Sequence, residues 1–147
     1  MIIDPMKIYH WNEIKDRIKK EKYIVYVEVI RDVVNRHDEI IKAYIFGSFA
    51  RELLAEAINP EYRNPRYGRP FRDREGLFGI PFKSDIDVFV LCREEFIEEL
   101  KEEGWCKEDL MIKLEKELPE IDGHEVSWDT AEEWMVMQTP FKIQIKP

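Results

Sequence analysis

The sequence predicts an α+β domain: a mixed β-sheet of about four to five strands with helices packed on it. Three observations carry this. Stretches with helical spacing of apolar residues alternate with short apolar or alternating runs of strand length. Helices and strands mixed in this way bury their apolar faces best as a sheet with helices against it. The 147 residues hold material for one core, so positions 1–147 are expected to form a single domain.

The elements follow in order. Asn12 is expected to cap a helix carrying Trp11, Ile14 and Ile18. A second helix is predicted over 22–36, with Ile24, Val27, Ile30, Val33 and Val34 as its stripe; its β-branched content leaves a strand open for 23–29. Positions 40–46 read as a buried strand ended by Gly47-Ser48, and 49–58 as a helix starting directly after. Positions 59–83 show no period and hold four prolines and three glycines, a loop far longer than the usual connection. A strand is expected over 85–91, then helix over 94–118 with a break near Gly104; Phe96, Leu100, Leu110 and Leu114 should face inward. A strand is expected at 124–128. Thr130-Ala131-Glu132-Glu133 reads as a capping box for a helix over 131–137. The alternation after Pro140 reads as an edge strand. Trp105, Trp128 and Trp134 are expected in the core, and His10, His37 and His124 as ordinary surface or core residues.

Composition narrows the function. With 44 % hydrophobic and 37 % charged residues, the chain is globular rather than disordered. The net charge of −8 argues against a surface coated by nucleic acid. No apolar run reaches the roughly 20 residues of a membrane helix. The N-terminus has no secretory pattern, and Cys92 and Cys106 have no metal or disulfide spacing, so a cytoplasmic protein without membrane partners is expected. Gln is confined to Gln138 and Gln144 while Lys and Glu abound, a bias of heat-adapted proteins.

Two segments carry chemistry. In Tyr44-Ile45-Phe46-Gly47-Ser48-Phe49-Ala50-Arg51 an apolar strand runs into Gly-Ser and a helix begins at once. Glycine admits a ligand close to the backbone, and the helix N-terminus offers free amides and partial positive charge, a setting that suits phosphate. In Lys83-Ser84-Asp85-Ile86-Asp87-Val88 the two aspartates stand two apart on a strand, on one face, with Cα atoms about 6.6 Å apart. Paired carboxylates repel, and a hard cation such as Mg²⁺ resolves this using one or two carboxylates plus substrate phosphates. Lys83 and Arg51 lie beside the motifs, where either could meet phosphate or serve a salt bridge.

Strand, Gly-Ser, helix, then Ser-Asp-x-Asp on the next strand resembles the DNA polymerase beta-like nucleotidyltransferase superfamily, over roughly 24–128. The resemblance implies the nucleotidyltransferase fold and transfer of a nucleoside monophosphate from a triphosphate to a hydroxyl acceptor: an RNA end, a protein or a small molecule. It implies that Gly47 and Ser48, with Arg51, Lys83 and Ser84 beside them, hold the nucleotide. It also implies that Asp85 and Asp87 bind one or two Mg²⁺ ions. A third carboxylate is expected on the 124–128 strand: Glu125 first, Asp129 in reserve, since Ser127 stands where many relatives carry the acid. Glu125 would complete the metal set and act as base. The chain departs from minimal members in two ways. Glu52 replaces a frequent Gly, and 36 residues separate Ser48 from Asp85. The inserted segment at about 59–83 is basic, and its Arg63, Arg66, Arg69 and Arg72 with interleaved aromatics are the expected contacts to a nucleic-acid or protein acceptor. The alternative is a catalytically weak nucleotide-binding module, an antitoxin-like partner of another protein.

Overall fold

The computed structural model describes residues 2–74, 76, 83–93 and 107–147. It is a mixed α+β structure built on a six-stranded sheet, with five α-helices among the described residues. The strands are β1 (Ile8–His10), β2 (Ile40–Phe46), β3 (Ile86–Cys92), β4 (Glu120–Ile121), β5 (His124–Thr130) and β6 (Lys142–Lys146). The helices are α1 (Trp11–Ile14), α2 (Glu21–Asn35), α3 (Gly47–Ala57), α4 (Lys107–Glu117) and α5 (Glu133–Gln138). No described helix is long and apolar enough to cross a membrane.

The sheet order is β1-β6-β2-β3-β5-β4. β2 runs antiparallel to both β3 and β6, β3 is parallel to β5, and β1 is parallel to β6. Strand residues alternate between two faces. One face sends Ala43, Ile45, Ile86, Val88, Val90, Val126 and Trp128 into the main core, against Tyr23, Val27 and Ile30 of α2, Phe49 and Leu53 of α3, and Leu110 and Leu114 of α4. The opposite face carries Tyr44, Phe89 and Leu91 in a smaller cluster under Val136 of α5.

Several expectations are corrected. The sheet has six strands because β1 and β4 add to those foreseen; at three and two residues, neither is long enough to show a period. β1 pairs with β6, so β6 is an interior strand and not an edge. The first helix is a single turn followed by a 3-10 turn at Lys15–Arg17, and His10 rather than Asn12 precedes it. The capping box does not form: Thr130 stays in the β5 ladder beside Val90, and Glu132 precedes α5 without a side-chain cap. Trp128 is buried, but Trp134 is largely exposed on α5. Trp105, Phe96, Leu100 and the expected break near Gly104 lie outside the described residues.

The described part of the inserted segment packs against the rest of the domain. It makes two 3-10 turns, Pro60–Arg63 and Pro65–Tyr67, each opened by an Asn whose side chain accepts from the backbone two residues on. Tyr62 is buried, and its hydroxyl donates to the Ile3 carbonyl. Phe71 packs edge-on against Tyr23 and stacks on His124 with ring centroids 4.8 Å apart. The buried His124 directs Nδ1 to the Ser84 carbonyl and Nε2 to Asp73, each at 2.7 Å. Asp73 also accepts from Lys22; burial raises its pKa, but the Lys22 and His124 hydrogen bonds outweigh this and hold it low. Glu52, the departure on α3, is buried and takes Arg63 of the insertion at 2.9 Å. Phe71→Ala should therefore lower unfolding free energy by about 2 kcal/mol in a urea titration, as for a partly buried aromatic. A loss within about 0.5 kcal/mol, the value for an ordinary surface position, would contradict a docked insertion.

Candidate phosphate and carboxylate site

β2 ends at Phe46, and Gly47 turns the chain directly into α3. Two constraints require glycine here. Its φ is +72°, and a Cβ would collide with Oδ2 of Asp87 and sit 3.3 Å from its Cγ. The close approach follows from register, because Phe46 and Asp87 are partners across β2 and β3. Among the described residues no side chain caps α3. Its first amides are therefore free to meet a ligand, and the helix dipole adds positive potential there.

These residues open onto a cleft of about 350 Å³. Gly47, Ser48 and Arg51 of α3 and Asp87 of β3 line it. The insertion provides a wall with Tyr67, Gly68 and Arg69, and Pro140 and Phe141 before β6 complete the lining. Phe141 adopts φ +51°, uncommon for a bulky residue, and is held by its N–H donating to the Pro5 carbonyl.

Arg51 is 3 % exposed. Its Nη2 donates to the Arg69 carbonyl, while Nη1 is buried without a hydrogen-bond partner among the described residues. Burial lowers its pKa, opposed by Glu52. A buried donor left unmatched is costly, so an unpaired guanidinium nitrogen in a cleft marks a place for an acceptor.

The carboxylates lie on the sheet face that Asp87 shares. Burial pushes the Asp87 carboxyl up to about 6, with Asp85 and then Asp129 adding to the rise. Ser127 is the register partner of Asp87, and Asp129 pairs with Phe89 one step further along that face. Asp129 is thus the β5 carboxylate that acts on Asp87. Glu125 stands opposite Glu120 of the β4–β5 hairpin and is exposed. Asp85 precedes β3 and is also exposed.

Lys83 and Ser84 are committed elsewhere. Lys83 Nζ donates to the Asp122 carbonyl across the β4–β5 turn, and its stem packs against Gly123. Ser84 Oγ accepts from the Arg72 amide, and its own amide donates to the Arg72 carbonyl. Both residues fasten the insertion's return to the sheet. Of the insertion's arginines, Arg63 pairs with Glu52 and Arg66 with Glu61. Among the described residues no hydrogen bond or ion pair engages the exposed Arg69 and Arg72 side chains.

Mg²⁺ is the ion that the resemblance implies, and the donor set suits it. Asp87 is driven toward its neutral form by burial and two neighbouring carboxylates, a frustration that a cation relieves. Among the described residues no three acidic, His or Cys side chains converge as a ready cage. Mg²⁺ takes one or two carboxylates and completes its shell with water and substrate phosphate. The cleft brings together Gly47, Ser48, Arg51 and Asp87 of the two motifs with Tyr67 and Arg69 of the basic loop; Gly68, Pro140 and Phe141 line it too, and no local pattern joins those three to the motifs. Compared with family models, curated proteins and solved structures, the chain finds no match.

Proposed function

We infer that this chain is a nucleotidyltransferase of the polymerase beta-like kind, moving a nucleoside monophosphate from a triphosphate to a hydroxyl acceptor. The observation that carries the reading is the meeting of an uncapped helix N-terminus, an unpaired buried Arg51 nitrogen and the Asp87 carboxylate in one cleft. The α3 amides, Ser48 and Arg51 would take the phosphate oxygens. Asp85 and Asp87 would hold Mg²⁺, with Asp129 in place of Glu125 as the third carboxylate. When bound, the ion supplies Lewis acidity toward the phosphate and lowers the pKa of the acceptor hydroxyl.

The acceptor oxygen forms a bond to the α-phosphorus, the bond to the bridging oxygen breaks, and pyrophosphate leaves. Asp129, exposed on the face it shares with Asp87, would take the hydroxyl proton. The fixed amides and Arg51 meet the charge of the departing pyrophosphate in a partly enclosed cleft, where such donors act most strongly.

Calorimetric titration tests the reading. ATP and then the other triphosphates should bind the wild type in a Mg²⁺-dependent manner, and Asp87→Ala should abolish that dependence. Absence of binding to every triphosphate would overturn the reading in favour of the protein-partner alternative.

A further inference from the structure

The insertion closes against the cleft at one point. Gly68 has φ +124°, and a Cβ there would sit 3.1 Å from Arg51 Nη1. The next residue, Arg69, accepts Arg51 Nη2 at its carbonyl, and it lines the cleft beside Gly47 and Ser48. The insertion backbone thereby occupies one arm of the Arg51 fork and leaves the other, buried and unpartnered among the described residues, for something else. The Arg69 side chain is exposed and engages nothing among the described residues. Arg51 and Arg69, from separate elements, thus line one cleft together with the uncapped start of α3, in a chain of net charge −8. A single phosphate can satisfy the helix amides and Arg51. A second cation at the rim suits a ligand that carries further phosphate groups.

We propose that the inserted segment is a polyphosphate clamp, in which Arg69 grips phosphate groups beyond the one seated on α3 and Arg51, so that the cleft selects a phosphate chain over a single phosphate. This rests on the nucleotidyltransferase reading and deepens it: the discrimination for triphosphate comes from the insertion, while Gly47-Ser48 supplies the seat. The carbonyl of Arg69 positions Arg51 and its side chain meets the ligand. Arg69→Ala therefore removes the grip and keeps the positioning contact.

The test uses inorganic tripolyphosphate and orthophosphate, each titrated calorimetrically with and without Mg²⁺. Wild type should prefer tripolyphosphate. Arg69→Ala should weaken tripolyphosphate binding about tenfold, the scale of one charge-assisted contact, and leave orthophosphate binding nearly unchanged. Arg69→Lys, which keeps the charge and loses the planar fork, should fall between. Arg17→Ala removes an equal charge from an exposed site outside the cleft and should bind as wild type does. Equal tripolyphosphate binding by wild type and Arg69→Ala would overturn the clamp while leaving the phosphate seat intact. An equal loss in Arg17→Ala would also overturn it, by showing a diffuse charge effect. Wild type that binds neither phosphate in either condition would overturn the seat and the clamp together.

Discussion

Asp87→Asn is expected to raise the stability of the metal-free protein at neutral pH while abolishing Mg²⁺-dependent nucleotide binding. The folded chain holds the Asp87 carboxyl at about 6, through burial first and then Asp85 and Asp129, against 3.8 for the free group. Between these values the folded state binds more protons than the unfolded state, so unfolding free energy falls as pH rises. The stability associated with this proton is complete below about pH 4 and is lost as pH rises through about 6. At about 1.4 kcal/mol per unit, the ionised carboxylate destabilises the fold by at most about 3 kcal/mol above pH 7. Asn keeps the shape and removes the charge. In thermal melts with a chelator, the gain of Asp87→Asn over wild type should be near zero at pH 4. Above pH 7 it should reach several degrees, at roughly 2 to 4 °C per kcal/mol for a chain of this size. A variant less stable than wild type at pH 8 would show that Asp87 is a satisfied structural carboxylate, and the case for a cation site would fall with it.

Much of the architecture is legible because long apolar patterns survive tertiary context. α2 and β2 stand almost where their stripes place them. What escaped is what local pattern does not encode. β1 and β4 exist only through their pairing with β6 and β5. β6 misleads because Lys142 and Gln144 alternate with isoleucines in the manner of an edge. Lys142 is nevertheless fully buried, its Nζ donating to the carbonyls of Met6 and Thr139. A buried cation is tolerated when such acceptors surround it, and no residue in the local sequence announces them. Thr130 fails as a cap because extending the parallel β5 ladder beside β3 takes precedence over a local side-chain bond.

The same divide runs through the site. Gly47 can be read because its backbone conformation demands glycine, and Ser48 and Asp87 stand in the same contiguous motifs. Lys83 and Ser84 could be read as ligands only by proximity in sequence; the structure turns both toward the insertion and the β4–β5 turn. Glu125 and Asp129 share a strand face four residues apart, each two from Ser127, the register partner of Asp87, so the register does not rank them; only Asp129 adds to the rise of the Asp87 carboxyl. Arg63 and Arg69 look alike in a basic run. Glu52 and Glu61 neutralise Arg63 and Arg66, leaving Arg69 at the cleft rim, a distinction that arises only once the insertion folds onto α3.

Gly47→Ala is expected to be among the most disruptive single-methyl changes in the chain, and its cost should depend on Asp87. Holding alanine at φ +72° costs about 1 kcal/mol. The added Cβ also meets Asp87 Oδ2, the tip of a side chain, with Cγ at 3.3 Å, so the Asp87 carboxyl must rotate or shift to make room. Overpacking of this kind adds about 1 to 3 kcal/mol, so the total loss should be about 2 to 4 kcal/mol by urea titration. Asp87→Ala removes Oδ2 and Cγ and leaves a Cβ at 3.6 Å, an ordinary contact. In that background Gly47→Ala should lose only the conformational part, giving a coupling of about 1 to 3 kcal/mol in the double-mutant cycle. Additive losses would mean that the turn yields and that Gly47 and Asp87 are independent. A strong coupling would locate the Asp87 carboxylate against the start of α3 in solution, as a shared phosphate and cation site requires.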